Sequence, residues 1–224
     1  MFQQRQIQIT ADGSPTVAIT ENNLTYHSMY GALQESKHVF IQAGLQPLIH
    51  RHETIRIFEM GYGSGLNALL TLQHAIHHRQ KIFYHAIELY PLSNDETENY
   101  MNASSFFNDG MKKHFSALHS ASWEEDVMIH SSFSLHKTKK SVQEFTTSNT
   151  FHLIYFDAFD PNAQPELWTS AIFKKMFLLL EENGVLVTYS CKGDVRRAML
   201  TAGFSVEKLP GAKGKREMLR AIKK

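Results

Sequence analysis

Three glycines alternate with other residues in segment 59–67, which reads EMGYGSGLN. Gly61, Gly63 and Gly65 would let the backbone approach a ligand where a side chain would collide with it. A dinucleotide fingerprint, Gly-x-Gly-x-x-Gly, would need its third glycine at position 66, which is leucine. The acid Glu59 would repel a pyrophosphate but could pair with a cationic group. The segment therefore predicts a loop that binds a ligand with positive charge.

Acids follow two further strand-like stretches. Glu88 stands in AIELYP, where a carboxylate can accept hydrogen bonds from ribose hydroxyls. Asp157 and Phe159 stand in YFDAFDP. Asp157 could orient an amine and accept its proton, and Phe159 could stack on a base or lie against a cation. Simpler interpretations stay open, namely a solvated acid at Glu88 and an ordinary turn above a buried aromatic at Asp157.

The remaining reactive residue types give no comparable pattern. The sequence has 13 histidines but no His-Glu-x-x-His spacing, and adjacent histidines on a helix point in different directions. Cys191 is the single cysteine, so an internal disulfide and a multi-cysteine metal site are excluded. Gly63-Ser64-Gly65 lacks the Gly-x-Ser-x-Gly spacing of a hydrolase nucleophile. We expect no metal and no hydrolase.

The elements that would position these residues alternate between strand and helix after residue 53. A helix is predicted over 66–78, and the predicted strands cover 55–60, 82–89, 151–156, 185–189, 204–209 and 217–222. Such alternation predicts a mainly parallel sheet covered on both faces, with ligands beyond the carboxyl ends of the strands. The last two strands are too close for a parallel crossover, so the C-terminal strand is expected to be antiparallel.

The first fifty residues predict a small extension to this sheet. Residues 6–20 alternate apolar and polar around ADGS, which is typical of a hairpin with an Asp-Gly turn. A helix is predicted over 32–43, closed by Gly44 and followed by Pro47. We expect residues 1–50 to form this hairpin and helix extension and residues 51–224 to form one compact domain.

Charge is unevenly distributed along the chain, whose formal net charge is +1. Residues 192–224 contain ten Lys or Arg and three acids, a net +7, which leaves −6 for the rest. A basic surface would attract nucleic-acid phosphates, although surface lysines also keep proteins soluble. No apolar run of about 18 residues occurs, and the start MFQQR lacks the plan of a secretory signal. A cytoplasmic protein without membrane contact is expected.

With these residues assembled, the sequence resembles the methyltransferase half of the bifunctional tRNA wobble-uridine modification enzymes of the MnmC type, and their stand-alone MnmD-like relatives. The resemblance covers nearly the whole chain. The glycine loop is shared by many methyltransferases, whereas other strings are more specific. These strings are YHS at 26–28, GALQES at 31–36, ELYPL at 88–92, DAFDP at 157–161, PELW at 165–168, TYSCKGDVRR at 188–197 and KREM at 215–218.

The resemblance implies an α/β fold of the Rossmann-like class I methyltransferase type, with S-adenosyl-L-methionine as cofactor. It implies methyl transfer to the exocyclic amine of 5-aminomethyl-(2-thio)uridine at the wobble position of tRNA. The implied cofactor-binding residues are Glu59, Gly61, Gly63, Gly65 and Asn67 for the methionine part, Glu88 for the ribose, and Asp157 and Tyr26. The implied catalytic residues are Asp157 and Phe159. The implied substrate-binding residues are Phe159, Ser190, Lys192, Arg196, Arg197, Lys215 and Arg216.

Two departures from the family pattern carry expectations of their own. The flavin-dependent oxidase half of the bifunctional enzymes has no counterpart in this sequence, so a separate FAD-dependent oxidase is expected to act upstream. Methyltransferases commonly place an acid after the third strand to meet the adenine, whereas this sequence offers Lys139-Lys140-Ser141. The adenine partner therefore has no candidate.

Two alternative functions remain open at this point. A spermidine-synthase-like aminopropyltransferase shares the fold, but its polyamine pocket would need several acids, and only Asp157 and Asp160 stand at the expected place. A non-catalytic RNA-binding module would use the basic C-terminal stretch and exposed aromatic residues. Turnover of free putrescine would favour the first alternative, and failure to bind S-adenosylmethionine would favour the second.

Overall fold

A computed structural model describes residues 4–224, so the first three residues of the polar start lie outside it. The described chain opens with a three-stranded antiparallel sheet of β1 (Arg5–Ile9), β2 (Pro15–Ile19) and β3 (Leu24–Thr25). Asp12 shapes the first turn, since its carboxylate accepts hydrogen bonds from the Ser14 amide and the Thr10 hydroxyl. The hairpin predicted over 6–20 is confirmed, whereas the two-residue β3 was not predicted.

The larger sheet contains eight strands in the order β10-β11-β9-β8-β4-β5-β7-β6. Strands β7, β5, β4, β8 and β9 run parallel, while β6, β11 and β10 are antiparallel to their neighbours. The mainly parallel sheet and its antiparallel C-terminal strand are thus confirmed. The strands are β4 (Thr54–Met60), β5 (Lys81–Ile87), β6 (Asp126–His130), β7 (Phe133–Thr138), β8 (Phe151–Phe156), β9 (Leu180–Thr188), β10 (Ser205–Pro210) and β11 (Glu217–Ile222).

Helices cover both faces of this sheet because its strands are apolar on both sides. In β8, Leu153 and Tyr155 belong to one core, whereas Ile154 and Phe156 belong to the core on the opposite face. The helices are α1 (Ala32–Ser36), α2 (Leu66–His78), α3 (Asn94–Asn102), α4 (Asp109–Ser120), α5 (Ser170–Leu179) and α6 (Gly193–Ala202). None of those in the described range combines the length and apolar character that a membrane crossing requires.

The N-terminal helix continues beyond its predicted end. It follows α1 with a π-helical stretch, Lys37–Leu45, and a 3-10 turn, Gln46–Leu48, so Gly44 does not close it. Gly44 instead lets the helix lie close to the sheet: a Cβ atom there would stand 3.0 Å from Val187 Cγ2 and 3.4 Å from Leu153 Cδ1. The helix shares its core with the large sheet, and the predicted boundary at residue 50 stays a prediction.

Two predicted strand boundaries also differ from the structure. The second strand of the parallel sheet ends at Ile87, before the predicted residue 89, because the Ile87 carbonyl accepts the amides of Gly61 and Tyr62. Glu88 and the residues after it therefore leave the sheet. β9 begins at Leu180, which pairs with Phe151 before an irregularity in the register.

Replacing Gly44 with valine should lower the free energy of unfolding by about 2 kcal/mol, since three extra carbons must displace packed side chains of β8 and β9. The matched control is Gln42→Val, on the exposed side of the same helix, for which a loss below about 1 kcal/mol is expected. Urea unfolding of both variants measures the difference, and equal losses would contradict the packing role of Gly44.

Candidate functional site

The carboxyl ends of β4, β5 and β8 surround a cavity of about 270 Å³. Its walls come from the loops that follow these strands, from residues 140–143 after β7, and from the N-terminal extension. Of the predicted site residues, the following line the cavity: Tyr26, Gly61, Gly63, Asn67, Glu88, Asp157 and Phe159. The space beyond the strand ends therefore brings together predicted residues from four separate parts of the sequence.

Each glycine of the 61–65 loop has a positive φ, between 51° and 92°. A Cβ atom on Gly61 would stand 2.5 Å from the Asp157 carbonyl oxygen, and one on Gly63 would stand 3.0 Å from Tyr26 Cδ2. A Cβ atom on Gly65 would stand 2.9 Å from His119 Nε2. Close contacts within the protein thus require all three glycines, in addition to any approach of a ligand.

Asn67 joins two carboxyl groups beneath the cavity. Its Nδ2 donates to Glu59 Oε1 at 3.0 Å and to Asp157 Oδ2 at 2.8 Å. Glu59 is fully buried, and burial, followed by the nearby Asp157, raises its pKa well above the ordinary value. Burial and then the Glu35 carboxylate raise the pKa of Asp157 to about 8. Both groups therefore favour their neutral, protonated forms more than exposed acids do.

Two buried oxygen atoms of this cluster have no hydrogen-bond partner among the described residues: Asn67 Oδ1 and Glu59 Oε2. A buried acceptor without a donor costs about 1–3 kcal/mol. Asn67 lines the cavity, whereas Glu59 lies behind it. A ligand with an ammonium group could supply the missing donor to Asn67 Oδ1, so the cluster fits a ligand with a cationic end and disfavours a phosphate.

Glu88 is held at the cavity rim by backbone amides. Its Oε2 accepts from the Gly63 amide at 3.0 Å and its Oε1 accepts from the Tyr90 amide at 2.8 Å. Each oxygen keeps a second lone pair. The side chain is therefore fixed where it can accept further hydrogen bonds, as binding of ribose hydroxyls requires.

Aromatic side chains form another wall of the cavity. The rings of Tyr26 and Phe159 meet edge to face, with centroids 5.3 Å apart. The loop that carries Phe159 is held from behind, because Trp168 Nε1 donates to the Phe159 carbonyl and the Tyr189 hydroxyl donates to the Ala158 carbonyl. The wall is thus supported by the core and presents aromatic carbon atoms to the cavity.

The predicted basic residues lie outside the cavity lining, and three of them form ion pairs. Lys192 Nζ lies 2.7 Å from Asp160, Lys215 Nζ lies 2.6 Å from Glu35, and Arg197 pairs with Asp194. Lys215 also lies over the Tyr189 ring. Arg196 and Arg216 have no acid within 4.0 Å in the part of the chain that the structure describes, and Arg216 is exposed. Ser190 is buried.

Sequence reasoning gave no role to several residues at this site. His27 lines the cavity, and its Nε2 lies 4.0 Å from Asp157 Oδ2. The wall formed by 140–143 is held by Lys175, whose Nζ donates to the carbonyls of Val142 and Gln143. His27 falls within the YHS string, but nothing in its spacing indicates proximity to Asp157. Residues 4–224 contain no group of three His, Cys, Asp or Glu residues placed to hold a metal ion.

The amino-acid sequence matches a family of known proteins. Residues 108–224 match the model of a family described as S-adenosyl-L-methionine-dependent methyltransferase. The chain is 30% identical, over 96% of its length, to the tRNA 5-methylaminomethyl-2-thiouridine biosynthesis bifunctional protein MnmC of Pseudoalteromonas atlantica. It is 28% identical, over 87% of its length, to the MnmC protein of Burkholderia thailandensis. The chain spans 33% and 31% of these two relatives, about a third of their length.

Solved structures share the fold. MNMC2 from Aquifex aeolicus aligns with a TM-score of 0.82 and 24% identity, over 98% of this chain and 70% of that chain. Spermidine synthase from Thermotoga maritima aligns with a TM-score of 0.59 and 14% identity, over 99% of this chain and 69% of that chain. At these identities the likeness establishes the architecture and leaves the reaction to be argued from the site.

The raised pKa of Asp157 predicts how stability depends on pH. Between its ordinary value of 3.8 and about 8, the folded protein keeps a proton that the unfolded chain has released, so the free energy of unfolding falls as pH rises. Asp157→Asn removes this contribution. Its stability relative to the wild type should grow from pH 5 to pH 8 by more than about 1.4 kcal/mol, the equivalent of one pKa unit.

Urea unfolding at both pH values measures this difference, with Glu21→Gln at an exposed turn as the matched carboxyl-to-amide control. A constant difference between the Asp157→Asn variant and the wild type would show that Asp157 titrates alike in the folded and unfolded chains. That result would contradict a buried, proton-retaining carboxyl group.

Proposed function

Because this chain belongs to the S-adenosyl-L-methionine-dependent methyltransferases, we propose that it methylates the exocyclic amine of 5-aminomethyl-(2-thio)uridine at the wobble position of tRNA. The relatives whose names include tRNA 5-methylaminomethyl-2-thiouridine biosynthesis support this choice of substrate. The observation that carries the proposal is the buried carboxyl of Asp157, which lines the cavity beside an aromatic wall. A group in that position can hold an amine.

The residues present fit the cofactor of the family. The unpartnered Asn67 Oδ1, backed by Glu59, would accept hydrogen bonds from the ammonium of the methionine part. The loop of Gly61 and Gly63 would border it, and Glu88, fixed by two amides, would accept from the ribose hydroxyls. When bound, S-adenosyl-L-methionine supplies a methyl group made electrophilic by the sulfonium. Tyr26 would border the cofactor through its contact with Gly63.

Asp157 would act mainly on the position and hydration of the amine. A primary amine is nucleophilic only when its nitrogen keeps a free lone pair, and a buried site favours the neutral form of the amine. The carboxyl of Asp157 would accept a hydrogen bond from an N–H group of the amine and hold the nitrogen in place, while Phe159 would lie against the base. We therefore assign most of the effect to positioning and removal of water, and less to strong base catalysis.

An aminopropyltransferase is the less favoured function. Its expected acid pair would be Asp157 and Asp160, but Asp160 forms an ion pair with Lys192 and does not line the cavity. A polycationic substrate would therefore contact Asp157 but would have to compete with Lys192 for Asp160.

We also propose that tRNA contacts a surface beside the site, formed by Tyr30, Lys213 and Arg216. The Tyr30 ring is 58% exposed and packs against the loop 211–216, where a Cβ atom on Gly214 would stand 2.5 Å from it. Gln34 accepts the Lys213 amide, which fixes the loop further. An exposed aromatic ring beside two exposed cations suits a nucleotide base and its phosphates. Lys192 and Lys215 would then shape the site through their ion pairs.

The free amine must come from another reaction, and we propose a separate FAD-dependent oxidase acting upstream. The substrate amine would be released by oxidative removal of a larger substituent from the same nitrogen. The cavity described above would act only after that step, on the free amine.

Methyl transfer from labelled S-adenosyl-L-methionine to tRNA carrying 5-aminomethyl-uridine tests the proposed function. Label is expected at the wobble base of this tRNA and not in fully modified tRNA, which offers no free primary amine. Cofactor binding is measured separately. If the cofactor binds but neither tRNA is methylated, the chain remains a methyltransferase and the proposed substrate is rejected.

Arg216→Ala should weaken tRNA binding about 3-fold to 10-fold at low salt and reduce the salt dependence, because one phosphate contact is lost. Arg51→Ala is the matched control: Arg51 is exposed just before β4, at the amino-terminal ends of the parallel strands, opposite the site. Titration of tRNA at several salt concentrations measures both variants. Equal affinities for the two variants would place the tRNA elsewhere on the protein.

A further inference from the structure

His27 is a buried imidazole at the cavity that the proposed reaction has not used. Its side chain is 5% exposed, it lines the cavity, and its Nδ1 has no hydrogen-bond partner among residues 4–224. Its Nε2 lies 4.0 Å from Asp157 Oδ2, too far for a direct hydrogen bond. An imidazole in this position either fills space in the core or forms a ligand-binding site together with Asp157.

The position of His27 is fixed by its backbone. The His27 amide donates to Thr16 Oγ1 at 3.1 Å, and its carbonyl accepts from Thr25 Oγ1 at 2.7 Å. These bonds tie the residue to β2 and β3 of the small sheet. The N-terminal extension therefore fixes the backbone of His27 at the cavity, beyond the carboxyl ends of the parallel strands.

The surroundings of His27 keep its ring neutral. Burial chiefly, with a smaller contribution from Lys215, lowers its pKa to about 4, while Glu35 and Asp12 act in the opposite direction. Asp157, the acid nearest the ring, has its pKa raised to about 8 by burial and therefore also favours its neutral form. A neutral imidazole has one nitrogen with a free lone pair, so at neutral pH the ring can accept one hydrogen bond.

We infer that His27 is a positioning residue for the substrate amine. In this arrangement His27 Nε2 accepts a hydrogen bond from one N–H group of the amine, and Asp157 Oδ2 accepts a hydrogen bond from the other. This inference rests on the proposed function. A nitrogen about 2.9 Å from both atoms fits their 4.0 Å separation, with the two bonds meeting at roughly a right angle. With both N–H bonds engaged, the lone pair of the amine points away from His27 and Asp157 and toward the remaining space of the cavity.

The bonding changes balance with these residues in place. The amine lone pair forms the new N–C bond, the C–S bond breaks, and its electron pair returns to sulfur, which becomes a neutral thioether. The product nitrogen is then a secondary ammonium. It loses one proton to water, because Asp157 favours its protonated form, while His27 keeps its own proton on Nδ1 throughout. His27 thus directs the lone pair and is not consumed as a base.

Two substitutions in the full chain separate positioning from packing. His27→Leu removes the acceptor, whereas His27→Gln keeps an amide oxygen near the position of Nε2. We expect the leucine variant to lower kcat for aminomethyl-tRNA at least about 10-fold, with KM for the cofactor within about twofold of the wild type. We expect the glutamine variant to recover to within about threefold of the wild type. Melting temperatures of both variants show whether they fold.

A second readout needs no cofactor. The ring nitrogens of His27 in the wild type are followed by ¹⁵N NMR while an anticodon stem-loop carrying 5-aminomethyl-uridine is added. The matched control stem-loop carries 5-methyl-uridine, which lacks the amine. We expect a shift of the Nε2 resonance characteristic of a hydrogen-bonded acceptor, with the proton on Nδ1, only with the aminomethyl stem-loop. This readout holds even where the leucine variant does not fold.

Each outcome bears on the inference. Full activity in the leucine variant, or equal Nε2 shifts with the two stem-loops, would overturn the role of His27 while leaving the proposed function intact. Equal loss in the leucine and glutamine variants, without an Nε2 shift, would reduce His27 to a packing residue. Absence of methyl transfer by the wild type would instead reject the proposed function, and the inference with it.

Discussion

The Asn67 amide between two buried carboxyl groups is the interaction on which the site depends. Glu59 is the last but one residue of β4 and Asp157 follows β8, so the sheet brings both acids to the carboxyl ends of adjacent strands without a cation between them. One amide nitrogen at the start of α2 satisfies an oxygen of each. Burying two acids beside each other is costly unless they stay partly protonated or find donors. The cluster is therefore held ready for a ligand that brings positive charge.

Much of the framework follows from local sequence patterns. The strand β8, the helix α2 and the strand β11 have the predicted bounds, because apolar periodicity is strong there and turns mark their ends. Gly44 shows the limit of such reasoning. A glycine after a helical pattern usually closes the helix, but here it allows contact with strands that lie more than a hundred residues away in sequence. Local patterns carry no information about that contact.

The site shows the same division. The glycine loop, Glu88 and Asp157 each follow a strand. Because ligands bind beyond the carboxyl ends of such strands, their proximity could be predicted from the sequence. His27 comes from an extension whose docking no periodicity predicts. Charge counting was similarly limited: Lys215 contributes to a basic stretch in sequence, yet it lies beside Glu35, about 180 residues earlier in the chain. The net charge of a segment does not show which of its lysines are paired with acids elsewhere in the chain.

The pairing of Glu35 with Lys215 has a consequence for the order in which the protein acquires its active form on the ribosome. The bond spans 180 positions, and Tyr30 meets Gly214 across a similar distance. A nascent chain that has completed the parallel strands still has Glu35 without its cation, because the hairpin of β10 and β11 emerges afterwards. Until then the carboxylate has the Ser28 amide but no cation, so its desolvation opposes docking of the N-terminal extension that carries Tyr26. The wall is thus completed late, which delays binding competence until the sheet is whole.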